Sequence, residues 1–408
     1  ALHQGLMKQF VDTRSSILLK RLQGRDEAEA EIDAVGDVHV EGEYAGRIEG
    51  LHFTKDNRMT NSPPRTVRAA IEKVVGQELR NRASELAACP DDELKLTEQG
   101  EIFWHQSCIA KLVAGRDLLS PDIKLLADES LVGAPRNQIE ARLAAFVRHY
   151  LDKLLEPLIT MKNEESLNGL ARGLAFQIVE HGGHIPRANI AETLSDMDQT
   201  ARAGLRKLGL RFGTYDIFMP ALLKPGPARG LAMLWSYFNK RKPGEDLALA
   251  PGPGLTSCMR ESDLPDGFYR SLGFRVYGKR AIRLDMLERL ADLIRKAIEG
   301  NDKGNEFEIT ADMVSLMGCS RDEMADILRG LGYGSKPKPQ EEPQLSKEDT
   351  NNQPANNKEG EEFTLEDTGA EEHSAQTVAH LWYPKKRPTR KTKPVHKTQS
   401  NKPANKKA

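Results

Sequence analysis

The C-terminal part of the chain most constrains what it can fold into, because its charges are separated into two opposite blocks. Residues 341–372 contain eleven acidic residues and two lysines, whereas residues 385–408 contain ten Lys and Arg and no acidic residue. A segment this charged and this poor in apolar residues cannot bury enough surface to offset the entropy lost on ordering. We therefore predict that residues 335–408 are a disordered acidic-then-basic tail and that the packed core lies before them.

The basic end of this tail has the composition of a nucleic-acid-binding arm, because lysines that approach phosphates release bound counterions. The segment HLWYP (residues 380–384) adds aromatic rings that can stack on a base or dock on a partner. A plain solubilising tail is the alternative. The predicted nucleic-acid contacts in the tail are Trp382, Lys385, Lys386 and Arg387.

A second cationic region, LRKLGLRFGTYDIFMPALLKPGPARGLAMLW (residues 205–235), combines basic, aromatic, Gly and Pro residues and reads as a binding surface rather than a reaction centre. Arg202 and Arg206 lie one turn apart on a predicted helix face, which we expect to be exposed. Cations that hold a backbone beside aromatic rings suit single-stranded nucleic acid, with a solvated helix face as the alternative. The predicted contacts are Arg172, Arg187, Arg202, Arg206, Lys207, Arg211, Tyr215, Lys224, Lys279, Arg280 and Arg283.

Five blocks in order along the chain carry a family resemblance: VEGEYAGRIEGLHFTKD (residues 40–56), the stretch from GLARGLAFQIVEHGG to LAMLW (169–235), GFRVYGKRAIRLDMLERLADLIR (273–295), ITADMVSLMGCSRDEMADILRGLGY (309–333) and LWYPKKR (381–387). They resemble the region after the motor in large bacterial superfamily-two helicases. Those enzymes are common in alphaproteobacteria and related to the RNA helicase of the mitochondrial degradosome. The resemblance implies an accessory region that guides single-stranded nucleic acid, RNA more than DNA. Its implied partners are the helicase motor domains and an RNA-degrading nuclease.

The sequence contains no GxxxxGK[ST] loop, the element that would cradle a nucleoside triphosphate. The nearest imitation, KLLADE (residues 124–129), is interpreted as an ordinary strand end or turn. ATP and Mg²⁺ would bind to a motor outside these residues, so we predict no catalytic residue, metal site or cofactor in the chain itself and no activity when it is alone. A stand-alone, non-enzymatic RNA-binding or ribosome-associated adaptor is the second hypothesis. A helix-turn-helix DNA regulator is the third.

Composition bears on the compartment and on covalent chemistry. No run approaches the roughly 18 apolar residues that a membrane helix needs, and no signal peptide opens the chain. We therefore expect a cytoplasmic protein without membrane contacts. Cys89, Cys108, Cys258 and Cys319 are scattered without a CxxC pair, which predicts reduced thiols.

Helical periodicity and a 6% aromatic content favour a mainly α fold with small β-hairpin elements, within the α+β class. The predicted domains are a helical connection to the missing motor (1–36), two β-hairpin-plus-helix units (37–99 and 100–164), a helical nucleic-acid-contacting domain (165–241), a Pro/Gly linker (242–260), a helix-turn-helix-like domain (261–334) and the tail (335–408). The two hairpin units are predicted from an alignment of VHVEGEYAGRI (38–48) with IFWHQSCIAKL (102–112), which indicates a diverged duplication.

The helix-turn-helix-like domain is predicted from capping signals. Thr310 is expected to cap a short helix, and a turn at residues 318–320 separates it from a second capped helix over residues 321–331. Helix, Gly-containing turn and helix is the shape of a helix-turn-helix unit. Because acids on the second helix would repel phosphates, we expect it to pack or to bind protein. These acids are Asp322, Glu323 and Asp326.

Overall fold

The computed structural model describes residues 28–56, 65–301, 304–337 and 380–385. Its helices are α1 (Arg65–Ala88), α2 (Ala134–Leu154), α3 (Glu156–Asn163), α4 (Gly169–Glu180), α5 (Ala191–Asp196), α6 (Gln199–Lys207), α7 (Pro225–Phe238), α8 (Pro243–Ala248), α9 (Asp266–Ser271), α10 (Leu284–Glu299), α11 (Ala311–Met317) and α12 (Arg321–Leu331). Its strands are β1 (Ala30–Ile32), β2 (Asp37–Val40), β3 (Glu43–Glu49), β4 (His52–Lys55), β5 (Leu94–Leu96), β6 (Glu101–Trp104), β7 (Ser107–Asp117), β8 (Ser120–Leu125), β9 (His184–Pro186), β10 (Arg211–Phe212), β11 (Asp216–Phe218), β12 (Ser257–Met259), β13 (Phe274–Tyr277), β14 (Arg280–Arg283), β15 (Tyr333–Pro337) and β16 (His380–Pro384). The chain divides into two compact units, Ala1–Ala291 and Asp292–Ala408.

The described residues form a mixed α+β fold, and the prediction of a mainly α fold is wrong. This part of the chain contains twelve helices and five antiparallel sheets. Most of the strands have five residues or fewer. Such short strands show too few alternations of apolar and polar residues to stand out in the sequence, whereas the longer helices show several turns of their period. None of the described helices is both long and apolar enough to span a membrane.

The N-terminal half of the first unit contains two four-stranded antiparallel sheets of the same topology. Strands β1 to β4 form one sheet in sequence order and are followed by α1, while β5 to β8 form the other and are followed by α2. Both central hairpins have a register shift, between Val38 and His39 in the first sheet and after Ile102 in the second. The turns that follow contain Glu41 and His105, non-glycine residues with φ of 51° and 52°. These positions match in the alignment of residues 38–48 with 102–112.

The turns before these hairpins are also alike. Gly36 and Gly100 have φ of 93° and 76°, a region that favours glycine. The carbonyl of Gly36 accepts the N–H of Ile48, and that of Gly100 accepts the N–H of Leu112, both at 2.8 Å. Each hairpin also carries an ion pair at matching positions, Asp37 with Arg47 at 3.0 Å and Glu101 with Lys111 at 2.8 Å. The two sheets therefore share hydrogen bonds and charges as well as strand order.

The middle of the first unit combines a helix pair with a β-hairpin. In chain order the elements are α4, β9, α5, α6, β10 and β11, and the strands pair in the order β10-β11-β9. This order of elements is similar to that of a winged helix, in which a two-stranded hairpin follows the second helix of a helix-turn-helix. The sheet β12-β14-β13 has the same strand order, with α9 between its first two strands in sequence.

The second unit contains the capped helices α11 and α12. The Thr310 side chain accepts the N–H of Met313, and Ser320 forms a capping box with Glu323. Gly318 ends α11 with φ of 58°. The predicted cap at Thr310 and the predicted helix over residues 321–331 are confirmed, because these signals act within a few residues along the chain.

The last strand of the second unit corrects the prediction of a wholly disordered tail. Strand β16 pairs with β15 over five residues, from Tyr333 with Pro384 to Pro337 with His380. Phe307 adds an antiparallel bridge to Trp382, through N–H to carbonyl bonds of 3.0 and 2.8 Å. Short apolar islands inside a charged segment can therefore be ordered by pairing with distant residues. The rest of the tail, residues 338–379 and 386–408, lies outside the described residues.

Two further segments differ from their predicted roles. The predicted Pro/Gly linker, residues 242–260, contains α8 and β12. Asp246 of α8 is buried, accepting the Ser236 hydroxyl at 2.7 Å and the Arg241 guanidinium at 2.6 Å, so the segment belongs to the fold. Within the predicted helical connection, residues 1–36, the described part begins at residue 28 and contains strand β1.

Candidate nucleic-acid interface

The interface begins with α6, whose sequence sets its start and its exposed end. Asp198 caps the helix by accepting the N–H of Ala201 at 2.6 Å, and a carboxylate at this end also suits the helix dipole. Leu205 is fully buried, whereas Arg206 and Lys207 are exposed. The last turn of α6 therefore offers two cations to a ligand.

The hairpin of β10 and β11 adds a third exposed cation. Arg211, the first residue of β10, is exposed. The guanidinium carbon of Arg206 lies 5.2 Å from the centre of the Phe212 ring. A guanidinium over an aromatic ring keeps its planar donors oriented at low entropic cost. We call Arg206, Lys207 and Arg211 the basic edge.

Arg202 does not belong to the basic edge, and the expectation that it is exposed beside Arg206 is wrong. Its side chain is half-buried, and its Nη2 donates to the carbonyl of Leu194 in α5. The last carbonyls of a helix have no partner within the helix, so a cation at that end is favourable. Arg202 therefore joins α5 to α6.

Arg187 and Tyr215 meet at the turn between β10 and β11. Arg187 donates from Nη1 to the carbonyl of Gly213 at 2.8 Å, and its backbone N–H donates to the carbonyl of Tyr215 at 3.0 Å. On the other side, the Glu288 carboxylate of α10 accepts the N–H of Thr214 at 2.8 and 2.7 Å. Arg187 thus supports the turn that carries Tyr215. Glu288 is a functional candidate that local sequence signals do not reveal, because it lies far along the chain.

A buried polar cluster connects this hairpin with the next sheet. Arg275 of β13 donates to Oδ2 of Asp216 at 3.0 Å, and His184 Nε2 lies 2.8 Å from the carbonyl oxygen of Arg270. Burial is the main cause that raises the pKa of Asp216 to about 6, and the main cause that lowers the pKa of His184 to about 4. Between these two values both side chains are uncharged.

The other predicted cations of the first unit are either exposed or held by internal contacts. The exposed ones are Arg172 on α4, Lys224 before α7 and Lys279 between β13 and β14. Arg283 forms a fork with Asp285 at 2.7 and 2.8 Å, and Arg280 donates to the Ser257 hydroxyl at 3.0 Å. Arg280 and Arg283 therefore support the sheet at β14, whereas the three exposed cations remain candidates for phosphate contact.

Phe176 is an exposed aromatic residue that the sequence did not single out. It is 63% exposed on α4, four residues after Arg172. Residues four apart lie on the same face of a helix, so a ring and a guanidinium are neighbours there. In an amphipathic sequence a Phe normally indicates the buried face, which is why its exposure was not predicted.

Of the four predicted tail contacts, the structure describes Trp382 and Lys385. Trp382 is only 2% exposed and has the Arg329 guanidinium 5.9 Å from its ring centre, so in this structure its ring is covered by the chain itself. Its apolar ring is part of the core of the second unit. Lys385 is exposed, and Lys386 and Arg387 lie outside the described residues.

Comparison with protein families, with characterised proteins and with solved structures gave no match to this chain. Within the part of the chain that the structure describes, no three His, Cys, Asp or Glu side chains could together hold a metal ion. The exposed cations, the aromatic rings and the contacts that position them are therefore the features that bear on function.

Proposed function

We propose that this chain binds and guides single-stranded nucleic acid, RNA more than DNA, as the region C-terminal to the motor of a superfamily-two ATP-dependent helicase. In this proposal the chain works in the cytoplasm beside the motor domains, where ATP and Mg²⁺ are bound, and an RNA-degrading nuclease is a further partner. The connection with a motor rests on the five sequence blocks. The binding surface rests on the basic edge.

The observation that supports binding most directly is that three exposed cations, Arg206, Lys207 and Arg211, follow one another on α6 and the hairpin of a winged-helix arrangement. In helix-turn-helix proteins the second helix of the pair is the one that contacts nucleic acid. The corresponding helix of the second unit, α12, instead exposes the acids Asp322 and Asp326 together with Arg321 and Arg329, and Arg329 pairs with Asp326 at 2.6 Å. The exposed acids of α12 therefore offset its exposed cations, whereas the last turn of α6 ends in two exposed cations.

Replacing Arg206, Lys207 and Arg211 together by Ala should weaken binding of single-stranded RNA by about 30- to 1000-fold, because each lost phosphate contact costs roughly 1 kcal/mol. The slope of log affinity against log salt should fall by about 2 units, since fewer counterions are released. Anisotropy titrations of a labelled oligouridylate at several salt concentrations measure both quantities.

A matched control removes the same charge elsewhere. Arg148, Lys153 and Lys162 are exposed on α2 and α3, and their triple Ala variant should bind almost as tightly as the wild type. Equal losses in the two triple variants would show that the chain attracts RNA only through its overall charge. Wild-type affinity in the first variant, with circular dichroism unchanged, would overturn the proposal. A DNA oligonucleotide of the same sequence tests the preference for RNA.

The isolated chain should hydrolyse no ATP, with or without RNA, because it contains no GxxxxGK[ST] loop to hold the triphosphate. A phosphate-release assay measures this directly. Robust ATP hydrolysis that persists after further purification would contradict the proposal that the triphosphate is bound by a motor outside this chain. An upstream reading frame, continuous with this chain and encoding that loop, would support a helicase, whereas its absence would favour the stand-alone adaptor.

A further inference from the structure

The turn between β10 and β11 is held by a carboxylate of the chain itself. Glu288 accepts the N–H of Thr214 at 2.8 and 2.7 Å and the N–H of Tyr215 at 3.3 Å. Successive backbone N–H groups form a concave site that favours an anion. Here the anion comes from α10, more than seventy residues along the chain from the turn.

The fit between this carboxylate and the turn is close. Glu288 is only 7% exposed, and a buried carboxylate is tolerated when its oxygens accept hydrogen bonds. A Cβ atom on Gly213 would lie 2.4 Å from Oε1 of Glu288, so only glycine leaves room for it. Together with Arg187, which donates to the carbonyl of Gly213 at 2.8 Å, the carboxylate holds the turn on both its N–H and its carbonyl groups.

We propose that Glu288 is a positioning residue for the nucleic-acid interface: it fixes the turn of the hairpin so that Arg211 and Tyr215 stay in register with the cations of α6. This role rests on the proposed function. In this role the buried carboxylate of Glu288 strengthens the binding of a polyanion. Long-range electrostatics alone gives the opposite sign, because removing a negative charge from the protein should tighten its binding of RNA.

The test is Glu288→Gln, which keeps the shape of the side chain and loses its charge and one acceptor oxygen. We expect affinity for oligouridylate to fall about 3- to 10-fold, because hydrogen bonds to a charged acceptor are lost at the turn. The matched control is Glu299→Gln, the same chemical change at an exposed position of the same helix. The control should bind RNA as tightly as the wild type or slightly more tightly.

Amide hydrogen exchange separates positioning from general stability. In Glu288→Gln the amides of Thr214 and Tyr215 should exchange faster, while those of α1 keep their wild-type rates. A second control, Ile71→Val on the buried face of α1, should lower the thermal midpoint without weakening RNA binding. Affinity equal to that of Glu299→Gln, or a loss that follows only the folded fraction, would overturn the role of Glu288. Failure of the wild-type chain itself to bind RNA would instead overturn the proposed function.

Discussion

Truncation after Gly334 should strongly destabilise the second unit, at a cost of at least about 3 kcal/mol. It removes the last three residues of β15, the whole of β16 and the buried Trp382 ring. Loss of a buried Trp side chain alone typically costs roughly 3 to 5 kcal/mol. Chemical denaturation followed by circular dichroism, together with hydrogen exchange of α11 and α12, measures the change.

The matched control is truncation after Lys385, which keeps β16 and removes only residues 386–408. This variant should unfold at the wild-type midpoint, since it retains every described contact of the second unit. Trp382→Ala in the full chain should reproduce most of the destabilisation. If both truncations unfold at the same midpoint, strand β16 contributes nothing to stability and the pairing with β15 is incidental.

His184 and Asp216 should make opposite contributions to the pH dependence of stability between about pH 4 and pH 6. The folded chain binds the Asp216 proton more tightly than the unfolded chain, because burial raises the pKa from 3.8 to about 6. The stability that the raised pKa of Asp216 provides is fully present below pH 3.8 and is lost as the pH rises through 6. The pKa of His184 falls from 6.5 to about 4, so its contribution is present above pH 6.5 and is lost as the pH falls through 4.

Each group changes the slope of unfolding free energy against pH by roughly 1.4 kcal/mol per unit, and the two slopes nearly cancel in the wild type. Between pH 4 and pH 6 the free energy of unfolding of Asp216→Asn should therefore rise by about 2 to 3 kcal/mol relative to that of the wild type. The free energy of unfolding of His184→Gln should fall by a similar amount over the same range. Urea denaturation at closely spaced pH values measures these slopes. Replacement of the exposed His181 by Gln is the control. Equal slopes in the wild type and in all three variants would contradict the shifted pKa values of Asp216 and His184.

Part of the candidate interface could be predicted from neighbouring residues alone. The buried Leu205 and the exposed Arg206 follow from the helical period of α6. The same is true of α12, whose capping box at Ser320 depends on a residue three positions later. These features are set within one or two helical turns, so no other part of the chain has to be known.

The residues that were predicted wrongly are those whose partners lie on other elements. Arg202 has the right helical position to be exposed, yet it contacts the carbonyl of Leu194 across the junction of two helices. Trp382 lies in a charged segment, yet it is buried because β16 pairs with β15 and with Phe307. Glu288 gave no local signal at all, since its partners are backbone N–H groups at Thr214 and Tyr215.

By itself the sequence determined where the capped helix α12 begins and that Arg206 follows Leu205 on a helix, because those outcomes depend on contacts close along the chain. The tertiary structure decided which of the predicted cations are exposed, where Trp382 lies, and how the turn that carries Tyr215 is held by Glu288. Exposure and pairing depend on which distant segment covers a side chain. Local periodicity does not specify which short strands pair with each other, so it cannot predict these contacts.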